Sequence, residues 1–445
     1  MTATGALWRN WGRSEKIRPA RVERPRDAAA VQRAVVAASE RGLHVKPVGA
    51  GHSFSGIAVA PGVQLDLHEL SGVISVDEES GRVTIGAGTN LYRLPELLAP
   101  YRLALENMGD IDRQTIAGAT STGTHGTGGR FGGLATQIVG VTLVTGDGSL
   151  LRVTETENAD LLPAVRLGLG ALGVLVDVTI QCVPAFVLHA VERSEPLGDV
   201  LDAYLERSER EDHFEFYWFP HTEAAVTKTN TRLDADAKRR PRPRVSSWVD
   251  DELIANGAYR AICGLGSVFP AMVPPVNRLA AKLMGNGDFI DDSPRVFVSD
   301  RSVRFREMEY ALPREAVPHA VREVDALIRA RGWRISFPVE VRSAAADENW
   351  MSTAYGRDTG YIAVHRYFRE DPTEYFAAVE SIMREHDGRP HWGKMHSRTV
   401  DDLRSAYPRF DDFVAMRDRL DPQGVFENRY LRSVLGPVKV ASSGA

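Results

Sequence analysis

The sequence is poor in cysteine, in excess charge and in long apolar runs, and each deficit excludes a class of protein. Only Cys182 and Cys263 occur among 445 residues, which excludes a disulfide framework and a cysteine metal cluster. The net charge is −5, from 54 basic and 59 acidic residues, so the basic balance of a nucleic-acid-binding protein is missing. No apolar run reaches the roughly 18 residues of a membrane span. We therefore expect neither a nucleic-acid partner nor a membrane anchor.

The start of the chain and its overall composition are typical of a cytoplasmic globular protein. MTATGALWRNWGRSEK lacks the apolar core of a secretory signal. Hydrophobic residues make up 43% and charged residues 25%, close to the globular average. The length suggests two or three domains, and the composition shifts after about Ala185. We place the first domain boundary at that shift.

Hydrophobic periodicity predicts that the chain opens with a β-α-β unit. A strand is expected at Lys16–Val22, a helix from the capping residue Asp27 to about Arg41, and a strand at Leu43–Val48. Alternating Val63, Leu65 and Leu67 predict a half-buried strand. Further strands are expected at 74–76, 83–85, 139–143, 150–153 and 174–183, and further helices at 91–101, 160–168, 373–386 and 401–420.

Two glycine-rich segments predict a large ligand that carries phosphate. GAGHSFSG, at 49–56, follows a predicted strand, and glycines there allow backbone N–H groups to converge on a pyrophosphate. His52 lies in its middle; the alternative is a plain glycine turn with a surface histidine. TGTHGTGG, at 122–129, adds threonine hydroxyls and further free N–H groups. Two such loops favour one large cofactor.

A third glycine motif is not a dinucleotide fingerprint. GLGALG, at 168–173, matches G-x-G-x-x-G, but that fingerprint requires a strand before it and a helix after it. Here a predicted helix precedes the glycines and the strand VLVDVTI follows them. We therefore do not expect a nicotinamide cofactor, although the turn could lie beside another one.

The second half of the chain supplies polar residues in apolar settings. Glu340 and Arg342 are two residues apart in FPVEVRSA, so they face the same side of a strand; the alternative is a structural salt bridge. His365 lies in a strand-like segment, where a histidine is more often structural. HWGKMH contains His391, Lys394 and His396, but the spacing does not favour zinc. We predict no metal.

Two further patterns bear on competing functions. The basic segment KRRPRPR, at 238–244, is either a patch for an anionic partner or a solvated surface loop, and we favour the loop. No G-x-S-x-G sequence occurs, so a hydrolase with a nucleophile elbow is not expected.

The ordered motifs resemble a known enzyme family. GAGHSFSGIA, LENMGDIDRQTIAGATSTGTHGTG, LGALGVLVDVTI, EVRSAAADENWMSTAYGRDT, RPHWGKMH and VFENRYLRSVLG are similar to segments of the FAD-dependent sugar-1,4-lactone oxidases and dehydrogenases. These include the L-gulono-1,4-lactone and D-arabinono-1,4-lactone enzymes. They are related to alditol oxidase within the vanillyl-alcohol oxidase and p-cresol methylhydroxylase family. The resemblance covers nearly the whole chain.

The resemblance implies an α+β fold of two domains. Residues 1–185 would form an FAD-binding domain of two α+β subdomains, and 186–419 a substrate domain, or cap, with an antiparallel sheet. Residues 420–445 would return to the FAD domain. The cofactor implied is FAD, and the cofactor-binding residues implied are Gly49, Ala50, Gly51, His52, Ser53, Phe54, Met108, Gly109, Gly118, Thr122, Thr124, His125, Gly126, Gly173, Val174 and Lys394.

Three positions, His52, Gly109 and Asp110, carry more specific implications. His52 matches the histidine that bonds to the flavin 8α carbon in covalent members. Gly109 matches a position beside the flavin where alanine tends to exclude dioxygen, so glycine favours an oxidase. Asp110 stands where alditol oxidase and several lactone oxidases have serine, which makes a substrate of the alditol type less certain.

The catalytic residues implied are Glu340, Arg342, His365, Lys394 and Asp110. Arg342 would stabilise developing negative charge, Glu340 would bind sugar hydroxyls, and either His365 or Lys394 would act as the base. The predicted reaction is hydride transfer from a hydroxyl-bearing carbon of a sugar lactone to flavin N5. Dioxygen, giving hydrogen peroxide, or an electron carrier would reoxidise the flavin. The alternatives are a polyol oxidase acting on xylitol or sorbitol, and a flavin-binding protein without catalysis.

Overall fold

A computed structural model describes residues 5–242, 269–283, 286–299 and 303–439. Cys263 and the last two residues of the basic segment lie outside them. Within the described residues the chain forms two units, each with a large hydrophobic core of its own. We call them the first unit and the cap. The candidate site lies where the units meet.

The first unit begins with the predicted β-α-β arrangement. Helix Ala28–Ser39 is capped by the Asp27 carboxylate, which accepts the Ala30 N–H at 2.6 Å. Val63–Asp66 pairs in parallel with both flanking strands, Arg21–Glu23 and Val45–Val48. This central strand is buried on both faces, so the half-buried prediction was wrong, because a parallel sheet is covered on both sides.

The strand predicted at Lys16–Val22 is divided in two. Lys16–Ile17 pairs with Trp8–Arg9, whereas Arg21–Glu23 joins the parallel sheet. Pro19 lies between the two pieces and has no N–H to offer a ladder.

A five-stranded antiparallel sheet completes the first unit. Its strands, in spatial order, are Leu150–Thr154, Ile138–Val144, Val174–Gln181, Arg82–Gly86 and Val73–Asp77. The hairpin predicted around the turn DEESGR is the pair at the end of this order, and its prediction is confirmed.

The cap is built on an antiparallel sheet in which eight strands pair over the described residues. Their spatial order is Asp288–Asp292, Val187–Pro196, Ala224–Leu233, His213–Trp218, Val339–Ala344, Thr359–Tyr367, Phe305–Pro313 and Arg389–Pro390. Helices Val317–Arg331 and Thr373–Glu385 cover one face, where they bury alternate apolar residues of the central strands. Side chains of the opposite parity face the first unit.

The C-terminal helices return to the first unit earlier than residue 420. The single helix predicted at 401–420 is two helices, Val400–Ala406 and Phe410–Leu420, because Pro408 cannot supply an internal helical N–H. Both helices, and Arg429–Leu435 after them, place apolar residues in the core of the first unit. The three-part domain division stays a prediction.

The remaining helices of the described residues are mostly short. They are Leu94–Leu98, Ile116–Thr122, Leu162–Val165, Leu197–Asp202, Tyr204–Arg210, Val273–Leu283 and Ser293–Phe297. The helices predicted at 91–101 and 160–168 are shorter than expected, and 3₁₀ turns flank or precede them. In the described part of the chain, no helix has both the length and the apolar character to cross a membrane.

Arginines of the basic segment pair with nearby carboxylates. Arg239 lies 2.8 Å from Asp292, and Arg240 lies 2.5 Å from Asp288, both on an edge strand of the cap sheet. These contacts agree with the surface-loop interpretation of the segment.

Candidate active site

Two neighbouring cavities form the candidate site: residues of the first unit line the first cavity, and residues of both the first unit and the cap line the second. The first holds about 750 Å³ of space and the second about 680 Å³, the open solvent at their mouths included. His52, Ser53, Gln114 and Thr122 line both cavities. The two therefore form one elongated site, divided near His52.

Glycine lets the backbone approach closely around the first cavity. A Cβ atom on Gly49 would lie 2.2 Å from Thr115 Oγ1, too close for any side chain. Gly170 and Gly173 have φ angles of +60° and +157°, a region that L side chains rarely adopt. The predicted residues that line this cavity are Gly49, Ala50, Gly51, His52, Ser53, Gly118, Thr122 and Gly173. GLGALG thus borders the site although it is not a dinucleotide fingerprint.

Lys46 is a lining residue that the sequence reasoning missed. Lys46 is 1% exposed, and its ammonium donates to the carbonyls of Gly170 and Phe426, at 2.8 and 3.2 Å. Burial lowers the pKa of Lys46 to about 7, against the attraction of Asp421. The segments that carry these groups are thereby joined beside the first cavity.

His52 lies at the junction of the cavities with a neutral ring. Burial, together with the positive charges of Lys394 and Arg113, lowers its pKa to about 4. At neutral pH the imidazole therefore keeps a lone pair for bonding. Ser53 and Phe54 follow it along the wall of the second cavity.

The cap contributes the face of its sheet that is turned away from its helices. Four adjacent strands present polar residues at alternate positions on this face, as the period of a strand requires. These residues are Glu215 and Tyr217, Glu340 and Arg342, Tyr361 and His365, and Glu307 and Glu309. The predicted placement of Glu340 and Arg342 on one side of a strand is confirmed.

The Arg342 guanidinium is surrounded by carboxylates. It forms ion pairs with Asp110 at 3.2 Å, with Glu215 at 3.0 Å and with Glu340 at closer range. Its side chain is 7% exposed. Burial opposes the charge, but the carboxylates hold the pKa of Arg342 well above its usual range. Arg342 is therefore a fixed cation in the second cavity.

Lys394 is the second fixed cation. Its ammonium lies 2.5 Å from Glu307 and 3.8 Å from Glu309. Burial by itself would lower the pKa of Lys394, but the two carboxylates raise it above its usual value. Burial likewise acts to raise the pKa of Glu307, yet Lys394 and His365 lower it to about 2. Lys394 therefore keeps its proton at neutral pH. A neutral Lys394 that acts directly as the base does not agree with this environment.

The histidines of the second cavity have defined hydrogen-bond partners. His391 Nε2 faces the Gly123 carbonyl at 3.0 Å while its Nδ1 accepts the Gly393 N–H, which defines a neutral tautomer. Burial lowers the pKa of His391 to about 4. His125 has an acceptor beside each ring nitrogen: Nδ1 lies 2.8 Å from the carbonyl of the next residue, Gly126, and Nε2 lies 3.2 Å from the Glu309 carboxylate.

A metal does not suit this histidine pair, although His125, Glu309 and His391 lie close together. Both ring nitrogens of His391 are engaged by the main chain, at 3.0 Å each. A ligand nitrogen must offer a free lone pair to the metal.

His365 lies behind the cavity wall rather than on it. Its Nδ1 is 3.0 Å from the Pro338 carbonyl, and its Nε2 is 3.6 Å from Glu307, which does line the cavity. Any effect of His365 on a ligand must therefore pass through Glu307.

The other predicted residues either line the second cavity or line neither cavity. Phe54, Gly109, Asp110, Thr124, His125, Glu340, Arg342 and Lys394 line the second cavity. Met108, Gly126 and Val174 stand behind the walls. A Cβ atom on Gly126 would lie 2.2 Å from the Met108 carbonyl, so this glycine serves close packing of two segments. Besides Lys46, the residues that line the site and were missed include Trp11, Gln114, Glu307 and Glu309.

Comparison with known proteins identifies the chain as an FAD-dependent oxidoreductase acting on CH–OH groups. Residues 19–154 match the FAD-binding domain family, and residues 178–434 match the D-arabinono-1,4-lactone oxidase family. L-gulono-1,4-lactone dehydrogenase of Mycobacterium tuberculosis is 45% identical, over 97% of this chain and 99% of its own. L-gulonolactone oxidase of Bos taurus is 33% identical, over 97% and 98% of the two chains. The chain belongs to the D-arabinono-1,4-lactone oxidase family.

Solved structures identify the fold. Cholesterol oxidase of Brevibacterium sterolicum superposes with a TM-score of 0.81 over 98% of this chain and 97% of its own, at 18% sequence identity. The predicted fold, an FAD-binding fold of the vanillyl-alcohol oxidase type with an antiparallel cap, is confirmed.

Removing the Lys394 cation should destabilise the protein most at neutral pH. Lys394→Met leaves two buried carboxylates without their cation, and breaking such a pair costs about 3–5 kcal/mol. In the wild type, the Glu307 contribution is present above the unfolded pKa of about 4.5 and is lost as the pH falls towards about 2. The variant should instead recover part of its deficit between pH 7 and 5, as the orphaned carboxylates take up protons. Urea unfolding of the two proteins at both pH values measures this.

The double variant Lys394→Met/Glu307→Gln is the matched control and should lose less stability than the single variant. Arg210→Met removes a cation from an exposed pair with Glu206 and should leave the unfolding midpoint near the wild-type value. An equal deficit for Lys394→Met at pH 5 and pH 7 would contradict the interpretation of a buried ion pair.

Proposed function

We propose that this protein oxidises a sugar-1,4-lactone of the L-gulono-1,4-lactone type, with FAD attached through His52. The observation that carries the proposal is the convergence of Arg342, Glu340 and Lys394 in a cavity that shares His52 with the glycine-lined cavity. The names of the related lactone dehydrogenase and lactone oxidase support the substrate class.

The residues present fit FAD. Gly49, Gly51 and Gly118 leave backbone exposed in the first cavity, where a diphosphate and adenosine would lie. Gly49 is in close contact with Thr115, so this position of the cavity wall cannot tolerate a side chain. The second cavity would hold the flavin ring and the substrate. When bound, FAD would supply the redox chemistry, as the acceptor of a hydride from the hydroxyl-bearing carbon, and dioxygen or an electron carrier would take up the two electrons.

The cap supplies position and charge. Arg342 offers a cation whose orientation is fixed by three carboxylates, so it costs little reorganisation when negative charge develops nearby. Glu340 lies beside it on the cavity wall and accepts hydrogen bonds from sugar hydroxyls. Asp110, opposite the cap strand, provides a further acceptor.

The proton of the reacting hydroxyl leaves through Lys394. Because Lys394 is charged, it accepts that proton only as it passes one of its own to Glu307, 2.5 Å away. The His365 ring stands 3.6 Å behind Glu307 and receives the proton from it. The sequence analysis named His365 and Lys394 as the two candidates for the base. This path includes both, and Glu307 connects them.

Gly109 favours dioxygen as the acceptor. This preference rests on the family resemblance at Gly109, which lines the second cavity. A Cβ atom there would lie 3.1 Å from the His125 carbonyl and 3.3 Å from the Thr124 methyl group, so a side chain would have to displace its neighbours. With dioxygen as the acceptor the product is hydrogen peroxide; an electron carrier is the alternative.

An uncharged substrate is expected because the second cavity carries excess negative charge. Among the described residues that line it, the carboxylates are Asp110, Glu307, Glu309 and Glu340, against the cations Arg342 and Lys394. We expect kcat/KM for L-gulono-1,4-lactone to exceed that for L-gulonate by at least about 100-fold, because like charges in contact cost several kcal/mol. Steady-state turnover of both compounds measures the ratio, and Asp110→Asn should reduce it.

The same assay separates lactone from polyol oxidation. The cavity charge does not distinguish a neutral lactone from xylitol, so xylitol belongs in the assay beside the lactone. Preferred turnover of xylitol would replace the proposal by an alditol oxidase. Absence of flavin reduction by any lactone or polyol under anaerobic conditions would leave a flavin-binding protein without this catalysis.

Loss of Arg342 should slow flavin reduction strongly. If its guanidinium stabilises developing charge as an oxyanion-hole donor does, Arg342→Ala costs about 100- to 1,000-fold in the reduction rate, or about 2.7–4 kcal/mol. Anaerobic stopped-flow mixing with the lactone measures this rate. Arg342→Lys keeps the charge but not the forked geometry, and it should fall in between. Reduction by Arg342→Ala at nearly the wild-type rate would remove Arg342 from the mechanism.

Covalent attachment is tested by acid precipitation. The wild-type pellet should be yellow because the flavin stays bonded to the denatured chain. His52→Ala should release the colour to the supernatant, since no imidazole is left at that position. Yellow colour in the wild-type supernatant would keep FAD as the cofactor but reject His52 as its attachment site.

A further inference from the structure

The glycine-rich loop at 49–56 carries His52, the proposed site of flavin attachment, and we call it the attachment loop. An N-terminal segment, residues 10–14, holds this loop on both sides of His52. The Trp11 N–H donates to the Gly51 carbonyl at 2.8 Å. The Asn10 side-chain amide donates to the Ser53 carbonyl at 2.9 Å, and the Ser14 hydroxyl donates to the Phe54 carbonyl at 2.7 Å. Main-chain groups directly before and after His52 therefore have fixed positions.

The Trp11 indole packs on the His52 ring itself. The ring centroids are 5.8 Å apart with planes inclined by 20°. The indole is in turn held edge-on by Phe305, at 5.1 Å, and by Phe54, at 6.1 Å. Phe305 begins a cap strand that also carries Glu307, so the position of the indole depends on the cap.

His52 differs from the other histidines of the site in how its ring is held. His125, His365 and His391 each have a ring nitrogen within 3.0 Å of a main-chain carbonyl. No hydrogen bond to the His52 ring comes from the described residues of the chain. Packing against an aromatic face orients an imidazole without engaging either of its ring nitrogens. A ring that must form a bond through nitrogen needs this kind of support.

We propose that residues 10–14 act as a clamp that orients the His52 imidazole for bonding to the flavin, with Trp11 as the positioning residue. The proposal rests on the covalent attachment proposed above. In that reaction, an imidazole nitrogen forms a bond to the flavin 8α carbon. The carbon and the imidazole each lose a proton, and the electron pair left by the carbon reduces the flavin ring. Dioxygen or the enzyme's other acceptor then reoxidises it.

The clamp also explains two small residues. A Cβ atom on Gly12 would lie 2.6 Å from the Phe54 ring, so a side chain there would separate the segment from the loop. Gly51 has a φ of +70°, and its Cβ atom would lie 3.3 Å from the Trp8 indole. The two segments thus fit closely only because both positions are glycine.

The rate of covalent incorporation tests the clamp. Protein produced without riboflavin is mixed with FAD, and acid-stable flavin is followed with time. Trp11→Leu should slow incorporation by on the order of tenfold, within the roughly 100-fold that a misplacement of about 1 Å can cost. Trp11→Phe restores an aromatic face and should recover most of the rate. Acid-stable flavin is expressed as a fraction of the total FAD bound before acid treatment, which separates slower bonding from weaker FAD binding.

Trp333→Leu is the matched control, because Trp333 is a partly buried cap tryptophan that packs on Tyr375, away from His52. It should incorporate FAD at the wild-type rate. If Trp11→Leu fails to fold, Asn10→Ala and Ser14→Ala each remove one loop contact and should each slow incorporation. Wild-type incorporation by Trp11→Leu, or by both alanine variants, would overturn the clamp. A wild-type protein that oxidises the lactone without any acid-stable flavin would instead overturn the attachment at His52.

Discussion

The buried guanidinium of Arg342 can remain charged only because carboxylates surround it, and much of the second cavity follows from that requirement. Taking an ion out of water costs several kcal/mol unless opposite charge and hydrogen bonds replace the solvent. Glu215 and Glu340 come from neighbouring cap strands, and Asp110 comes from the first unit. The ion pair with Asp110 therefore joins the two units at the place where a substrate would bind.

Lys394 is also a buried cation that needs carboxylates around it, but its partners come from a single strand. Its partners Glu307 and Glu309 lie on one cap strand, while Lys394 itself follows the strand Arg389–Pro390. The loop around it is tied to the attachment loop, because the Phe54 N–H donates to the Gly393 carbonyl at 2.6 Å and the Ser55 hydroxyl to the Trp392 carbonyl at 2.7 Å. Lys394 and His52 are thus held at a fixed separation, and the Lys394 charge helps to keep His52 neutral.

Much of this site could be predicted from the sequence, and the part that was missed has a physical reason. The glycine loops could be predicted because a segment so rich in glycine usually exists to let another group approach the backbone closely. Glu340 and Arg342 were visible because their spacing of two places both on one face of a strand. Glu307 and Glu309 have the same spacing within FREMEYAL, as do Glu215 and Tyr217 within HFEFYW. Charged residues alternating with buried apolar ones carried the same signal in all three strands.

Other features depend on tertiary contacts that no local pattern records. Lys46 lies in a short parallel strand that reads as ordinary core, and its carbonyl partners Gly170 and Phe426 are more than a hundred residues away along the chain. The division of the C-terminal helix could have been seen at Pro408, but its early return to the first core could not. Trp11 gains its role only when the cap places Phe305 against it.

The two units therefore contribute different kinds of interaction to one reaction. The first unit offers backbone groups and a neutral histidine, which hold a cofactor without constraining its charge. The cap offers cations and carboxylates at fixed positions, which act on whatever charge develops between cofactor and substrate. A neutral substrate is well suited to this arrangement, because it enters an acidic cavity without repulsion and meets the cations only as its own charge appears. In the proposed mechanism, the negative excess of the cavity would contribute to substrate selection, and Arg342 and Lys394 would contribute to the rate.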